Sequence, residues 1–306
     1  MNQDYPTRIG RFAPSPTGAL HLGNLRTALA SWLSIKARGG RWLVRIEDVD
    51  TARCKPAWAE AQLRDLETLG LVWDGPVAWQ SQRGAFYHAA LENLARQNRL
   101  YRCACSRKDL ALLGSAPHGD EGLRPYPGRC RAAKVNGFVA DALRVELPPG
   151  EVVWQDQLLG MQRDDPALLT GDPVLHRRDG CFAYHLAVVV DDGEQGVTEI
   201  VRSADLRAVT ATHLRLQEKL GYPQPHYAHL GLVLAANGTR LGKRSGAASL
   251  TALLARGVSL AEIAGWLGWS LGCLPEPAAC QIHELIDTFD WAKVPTRNLA
   301  VPEAWS

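Results

Sequence analysis

A chain of 306 residues, 46% of them hydrophobic, is long enough to bury a proper core and to hold two domains or three small units. Its formal net charge of +2 is too small to announce a nucleic-acid partner, which would have to be argued from local patches. No run approaches the ~20 apolar residues of a membrane helix and "MNQDYPTRIG" lacks the apolar centre of a signal peptide, so the expectation is no membrane and a cytoplasmic location.

The first hundred residues alternate in the α/β manner. "TRIGRFA" (7–13) and "RWLVRIE" (41–47) are short β-like runs joined by a helical stretch over 20–38. There Leu22, Leu25, Leu29, Trp32, Leu33 and Lys36 keep helical spacing, and Gly39 and Gly40 stop it. Pro56 opens a second helix that runs to Leu69. Strand, crossover helix, strand predicts a right-handed parallel unit. Over 99–136 Cys, Gly, Pro and Arg replace periodicity, which suggests an inserted module. "DALRVEL" and "EVVWQD" then read as strands, while "YHLAVVVDD" (184–192) and "VTEIVR" (197–202) read as buried strand or helix segments of the same core. "RSADLRAVTATHLRLQEKLG" predicts one amphipathic helix closed by Gly221, and short helices follow from 245.

"RFAPSPTGALHLGN" places two prolines and two glycines before the first helix. Pro14 and Pro16 fix the backbone, while Gly18 and Gly23 allow a ligand close to the main chain. The helix mouth offers N–H groups and partial positive charge to an anion. His21 is placed to donate to a phosphate, with Asn24 one turn on. A nucleoside triphosphate suits such a site, although no Walker GxxxxGK[ST] occurs. His21 alone would be an ordinary surface histidine on a stiff turn.

This stretch resembles the first signature of class I glutamyl-tRNA synthetases. The likeness continues, in family order, through "RWLVRIEDVD", "WDGPVAWQSQR", "YHLAVVVDDGEQGVTEIVRSADL" and "RLGKRSGAASL". The resemblance implies an α/β fold: a Rossmann-type parallel sheet with an inserted zinc-containing module and a short helical C-terminal part. It divides the chain into 1–98 and 176–235 as the two halves of the catalytic domain, 99–175 as the insert, and 236–306 as phosphate loop and helical region.

A glutamate substrate brings two carboxylates and an ammonium, so its site needs cations and one anion. Arg11 and Arg202 end strands, where parallel sheets deliver residues to a ligand crevice. Bidentate guanidinium–carboxylate pairing would reject glutamine. Glu47, ending the second strand, suits the ammonium, and Tyr184 suits a pocket wall. The resemblance adds Ala13 and Ser15 to this glutamate-binding set. Surface salt bridges of Arg11 and Arg202 to Asp48 or Asp50 are the competing reading, and which arginine meets which carboxylate stays open.

The family's second signature corresponds to "RLGKR" (240–244). Lys243 matches its second lysine, and Arg240 stands for the first. Gly242 replaces the serine and Arg244 the last residue. The resemblance implies attack of the glutamate α-carboxylate on the α-phosphorus of ATP, held with Mg, with catalysis by charge stabilisation from Lys243, His21 and Asn24. Gly23 and Arg240 complete the ATP set.

Of seven cysteines, three gather in a loop-like stretch: Cys103 and Cys105 in "YRCACSRKDL", Cys130 in "RPYPGRC". They suggest one tetrahedral zinc. The residues leave the fourth ligand open between His118 and Tyr126, and the family pattern, Cys-x-Cys then Tyr-x3-Cys, points to Tyr126. Four protein ligands would make the zinc structural. Arg102, Arg107, Arg124, Arg129 and Arg131 could offset the thiolate charge, and they form the most plausible RNA-facing patch.

After Arg244 too few residues remain for a separate domain of ~100–150 residues. The short chain and Cys-rich insert resemble the branch of the family that lacks an anticodon-binding region and esterifies the queuosine base of tRNA(Asp). The expected partners are therefore queuosine-containing tRNA(Asp), L-glutamate and ATP, acting on a monomer. Two rivals remain: a minimal tRNA(Glu) charger, and an inactive adenylate- or RNA-binding paralogue.

Overall fold

The computed structural model describes residues 7–106, 109, 125–133, 142–241 and 248–305. Strands β1 (Ile9–Phe12), β2 (Arg41–Ile46) and β3 (Ala78–Trp79) alternate with helices α1 (Leu22–Lys36) and α2 (Pro56–Thr68), and α3 (Gly84–Arg96) follows. Next come β4 (Leu100–Arg102), β5 (Leu143–Val145), β6 (Val152–Asp156), β7 (Gly160–Asp164) and β8 (Val174–His176). Helix α4 (Tyr184–Glu194), β9 (Glu199–Ser203), α5 (Thr210–Leu220) and β10 (His226–Leu230) complete the central unit. Short β11 (Val233–Leu234), α6 (Leu250–Ala255), α7 (Leu260–Ser270) and β12 (Leu299–Ala300) close the chain.

The main sheet has seven strands in the order β3-β2-β1-β9-β10-β6-β7. Every pairing in it is parallel except the β6–β7 hairpin. The ambiguous run 184–192 is a helix, and 197–202 is the strand it feeds. Strand β9 slots beside β1, so a residue near position 11 and one near 202 emerge from adjacent strands at the same sheet end.

Stretch 99–175 contributes to two sheets. β4, β5 and β8 form a separate antiparallel sheet, whereas β6 pairs with β10 through Tyr227 and Asp156 and extends the main one. The helix expected over "RSADLRAVTATHLRLQEKLG" also starts later. β9 runs on to Ser203, a 3-10 turn spans Ala204–Val209, and only Thr210–Leu220 is α-helical. The main-chain pairing of Ser203 with Leu230 holds that segment extended. Gly221 caps α5 at φ 78°, a conformation that costs glycine little.

Helix α1 is buried on most sides because it is covered twice. Leu22, Leu25, Leu29 and Leu33 share one buried cluster with Trp42 and Val44 of the sheet and with Ile263, Trp266 and Leu267 of α7. Full burial stabilises each leucine by ~1.5–3 kcal/mol. On the other face α3 and α4 pack with β4, β5 and β8. Arg26 bolts the layers: its buried guanidinium donates to the carbonyls of Gly231 and Ser270. No helix among the described residues is long and apolar enough to cross a membrane.

Candidate active site

The turn after β1 is held by main-chain bonds rather than by its prolines alone. Glu47 N donates to the Pro14 carbonyl and Lys55 N to the Pro16 carbonyl. Buried Gln62 of α2 donates to the Ser15 and Gly18 carbonyls at 3.2 and 2.8 Å. Ala13 and Ser15 sit half-buried in this turn. His21 is the N-cap of α1: its Nδ1 accepts from the Gly23 and Asn24 amides at 3.1 and 3.3 Å. Asn24 Oδ1 in turn accepts from His21 N, at 3.1 Å. A ring nitrogen that accepts carries no proton, so the imidazole proton lies on Nε2. Gly23 has a second reason to be glycine, since a Cβ there would lie 3.0 Å from the His21 ring.

Lys243 and its neighbours 242–247, with Arg244, lie outside the described residues. Their flanks do not. Leu241 and Ala248 are buried, and the Ala248 carbonyl accepts from Leu22 N at 3.0 Å, while Ser249 bridges His21. The chain that follows the signature loop thus meets the mouth of α1 at Ala248 and Ser249. Arg240, expected at the nucleotide, is ion-paired with Asp205.

Arg11 and Arg202 are both about nine-tenths buried or more, and neither pairs with Asp48 or Asp50. Arg11 instead grips Asp192 at two points, 3.0 and 3.3 Å. Arg45 of β2 reaches Asp192 at 2.8 Å, Glu47 at 3.5 Å and Asp191 at 3.6 Å. Asp191 also accepts from Gln80, Arg83 and Tyr87. Two aspartates in the last turn of α4 would oppose the helix dipole without these cations. Arg11, Arg45 and Arg83 thus balance Asp191, Asp192 and Glu47.

Burial raises the Asp192 pKa, but Arg11 and Arg45 outweigh it and hold the carboxyl below its usual range. For Glu47 burial prevails over Arg45 and Arg11, and its pKa is raised. Tyr184, the first residue of α4, is 37% exposed as a whole, yet its hydroxyl faces Arg202, Glu47 and Arg11, and desolvation there pushes the phenol up to about 12.

Arg202 differs from Arg11. Its donors go to His229 Nε2 at 3.0 Å, Thr210 Oγ1 at 2.7 Å and His213 Nδ1 at 3.2 Å, and its guanidinium lies 5.1 Å from the Tyr227 ring centre. Among the described residues no carboxylate lies within ion-pair distance of it. After the internal balance around α4, Arg202 is, among the described residues of this site, the cation with charge to offer.

Sequence reasoning missed Asp192, Arg45, His213 and His229. The paired aspartates inside "YHLAVVVDD" were the available signal: two charges closing an apolar helix demand buried cations.

The cysteine module comes together as expected. Cys103, Cys105 and Cys130 place their sulfurs within 4.8 Å of one another. Cys105 and Cys130 are 3.7 Å apart, and the Tyr126 hydroxyl lies 3.7 Å from Cys103 and 3.6 Å from Cys105. A zinc with ~2.3 Å bonds to thiolates puts tetrahedral neighbours ~3.8 Å apart, so these donors fit the ion. Gly171, at φ 64°, lets the Tyr126 backbone pass where a Cβ would lie 2.3 Å from its nitrogen. The charge offset comes from an unexpected place. Arg131 is bound to Asp172 at 2.7 and 2.9 Å, whereas buried Arg144 of β5 donates to Cys103 Sγ at 3.2 Å and covers the Tyr126 ring at 3.9 Å. His118, Arg107 and Arg124 lie outside the described residues.

The catalytic domain of class I tRNA synthetases (E and Q) matches residues 9–293. The glutamyl-Q tRNA(Asp) synthetase of Symbiobacterium thermophilum is 42% identical, over 96% of this chain and 95% of that protein. The protein of the same name from Geobacter sulfurreducens is 47% identical over 81% of this chain and 79% of its own length. Among solved structures, a glutamate tRNA ligase from Elizabethkingia meningosepticum in complex with its amino acid superposes with a TM-score of 0.82 at 26% identity, covering 98% of this chain and 68% of that one. The glutamate-tRNA synthetase of Elizabethkingia anophelis gives 0.81 at 27% identity, covering 98% and 69%. With its parallel sheet, capped histidine helix and buried arginines in place, the chain belongs to the family of class I tRNA synthetases (E and Q), through their catalytic domain.

Proposed function

We propose that this chain activates L-glutamate with ATP and then transfers glutamate to the queuosine base in the anticodon of tRNA(Asp). The observation that carries the first half is the charge pattern. Arg11, Arg45 and Arg83 are matched by Asp191, Asp192 and Glu47, which leaves Arg202 for a substrate carboxylate, while Glu47, which meets Arg45 only at 3.5 Å, keeps acceptor capacity for an ammonium. Arg11 and Tyr184 line the same pocket, with Ala13 and Ser15 at its turn.

In the first step a glutamate α-carboxylate oxygen bonds to the α-phosphorus of ATP, and the bond to pyrophosphate breaks. His21 meets the phosphates with its Nε2 proton, Asn24 and Gly23 lie beside it, and Lys243 and Arg240 bring cations as charge moves to the leaving group. Mg accompanies the ATP. In the second step a hydroxyl of the queuosine cyclopentenediol attacks the glutamyl carbonyl and AMP leaves. Zinc on Cys103, Cys105, Tyr126 and Cys130 is structural.

The acceptor is supported by the relatives named glutamyl-Q tRNA(Asp) synthetase. The chain works as a monomer in this reading, with 1–98 and 176–235 as catalytic halves, 99–175 as insert and 236–306 as phosphate loop and helical region. The test is glutamate-dependent pyrophosphate–ATP exchange without RNA, followed by labelled-glutamate transfer to tRNA(Asp) with and without queuosine, and to tRNA(Glu). Charging of tRNA(Glu) alone would replace the acceptor; absence of exchange would overturn activation.

A further inference from the structure

Behind Arg202 lies a chain of side chains, buried except for half-buried His185 at its end, that the reaction itself does not use. His229 Nε2 accepts from Arg202, and its Nδ1 lies 2.6 Å from Asp156 Oδ2. On the other side His213 Nδ1 lies 3.2 Å from Arg202 Nη1, and His213 Nε2 is 3.1 Å from His185 Nδ1. Arginine only donates, so every proton in the chain is placed by it. His229 must accept on Nε2 and therefore donates from Nδ1 to Asp156. His213 must accept on Nδ1 and therefore donates from Nε2 to His185.

Both histidines next to Arg202 are neutral. Burial and the Arg202 charge push His213 well below the ordinary range; burial also takes His229 down to about 4, although Asp156 opposes it. Asp156 is fully buried and accepts main-chain bonds from Leu158 and Leu159 at 2.8 and 2.9 Å, so its carboxylate stays in place one imidazole ring away from Arg202. Arginines buried elsewhere in this site are held by carboxylates: Arg11 by Asp192 and Arg45 by Asp192 and Glu47. Arg202 is held by neutral acceptors only.

We propose that His213, His229 and Asp156 are positioning residues that fix the Arg202 guanidinium without neutralising it, so that its charge is reserved for a carboxylate of the substrate and favours glutamate over glutamine. This rests on the glutamate reading above. A carboxylate in place of either histidine would hold Arg202 more firmly and yet remove what makes it selective. A purely structural role and this one therefore predict opposite orders for an isosteric pair of variants.

The experiment compares His213→Asn with His213→Asp. Both place an oxygen near the Nδ1 position and both lose the bond to His185, so they differ chiefly in charge. Pyrophosphate–ATP exchange with glutamate and with glutamine is measured for wild type and both variants, together with the KM for ATP and the thermal midpoint. The expected result is a glutamate KM about tenfold or more higher in His213→Asp than in His213→Asn, a reduced glutamate-over-glutamine ratio, and similar ATP KM values. The equivalent pair at the other acceptor, His229→Gln and His229→Glu, keeps the test open if one pair misfolds. Equal or tighter glutamate use by the carboxylate variants would overturn the proposal. A wild-type chain inert with glutamate would instead overturn the functional reading, and the proposal with it.

Discussion

Arg11 and Asp192 stand 181 positions apart in the chain and meet in a two-point ion pair at 3.0 and 3.3 Å. Both are almost fully buried, and Arg45 shares the same carboxylate. Removing one partner of such a pair leaves buried charge uncompensated, so Asp192→Asn should destabilise the fold by ~3–5 kcal/mol in denaturant unfolding. The sign with pH follows from the depressed pKa of Asp192. Its contribution is complete above the unfolded carboxyl value of ~3.9 and is lost as pH falls through the lower folded value. The wild-type advantage should therefore be flat near neutrality and shrink only below pH ~4.

Glu47 shifts the other way, since burial outweighs its arginines and raises its pKa. A substrate ammonium placed beside it would favour the carboxylate and bring that pKa down. Between the raised value of the free protein and the lower one of the complex, glutamate binding should release protons. Calorimetry in buffers of different ionisation enthalpy reads this directly. Glu47→Gln should abolish the release and weaken binding by about 10–100-fold, the worth of a charged hydrogen bond. Proton uptake in the wild type would place the ammonium elsewhere.

What the sequence made legible was local. Pro56 opens α2 and Gly221 closes α5 because those residues meet the backbone demands of a helix start and stop on their own. Arg11 and Arg202 could be assigned to a crevice because each lies near the carboxyl end of a strand. Their partners could not be assigned. Asp192 meets Arg11 only because the strand that follows α4, β9, ends up beside β1, and His229 meets Arg202 through the register of β9 with β10. Strand order is a tertiary fact that no spacing in the chain contains. The same holds for Arg144, which faces Cys103 across 41 positions, while Arg131, close to the thiols in sequence, turns to Asp172.

Lys243 carries a kinetic prediction. The residues just after 242–247 reach the N-cap of α1, where the Ala248 carbonyl accepts from Leu22 N and Ser249 bridges His21. Charge migrates toward pyrophosphate only as the bond breaks, so a cation there acts on the transition state. Lys243→Ala should lower the single-turnover rate of adenylate formation by about 10²–10³-fold, the scale seen when one charge-stabilising donor is removed, with little change in glutamate affinity. An unaltered activation rate, measured by rapid quench, would remove Lys243 from the reaction.

The cysteine module offers the most direct measurement. Three thiolates and a phenolate around Zn²⁺ would leave excess negative charge, and Arg144, buried and in contact with both Cys103 and Tyr126, is placed to offset it. Elemental analysis of the purified chain should give one zinc. Arg144→Met keeps the length of the side chain and removes the charge, so it should release metal more readily to a chelator, whereas Arg129→Met, in the exposed part of the same loop, should not. Tyr126→Phe should weaken retention further, because the hydroxyl sits within 3.7 Å of two sulfurs, and His118→Ala should leave retention unchanged. Ligands must be deprotonated to hold zinc, so retention should fall as pH falls in every variant, and at a higher pH in Arg144→Met, whose thiols have lost the cation that favours the thiolate. Cadmium substitution gives the readout, since sulfur-to-metal absorption counts the thiolates bound. Three thiolates with the wild-type intensity in Tyr126→Phe, and metal lost in His118→Ala, would exchange the fourth ligand.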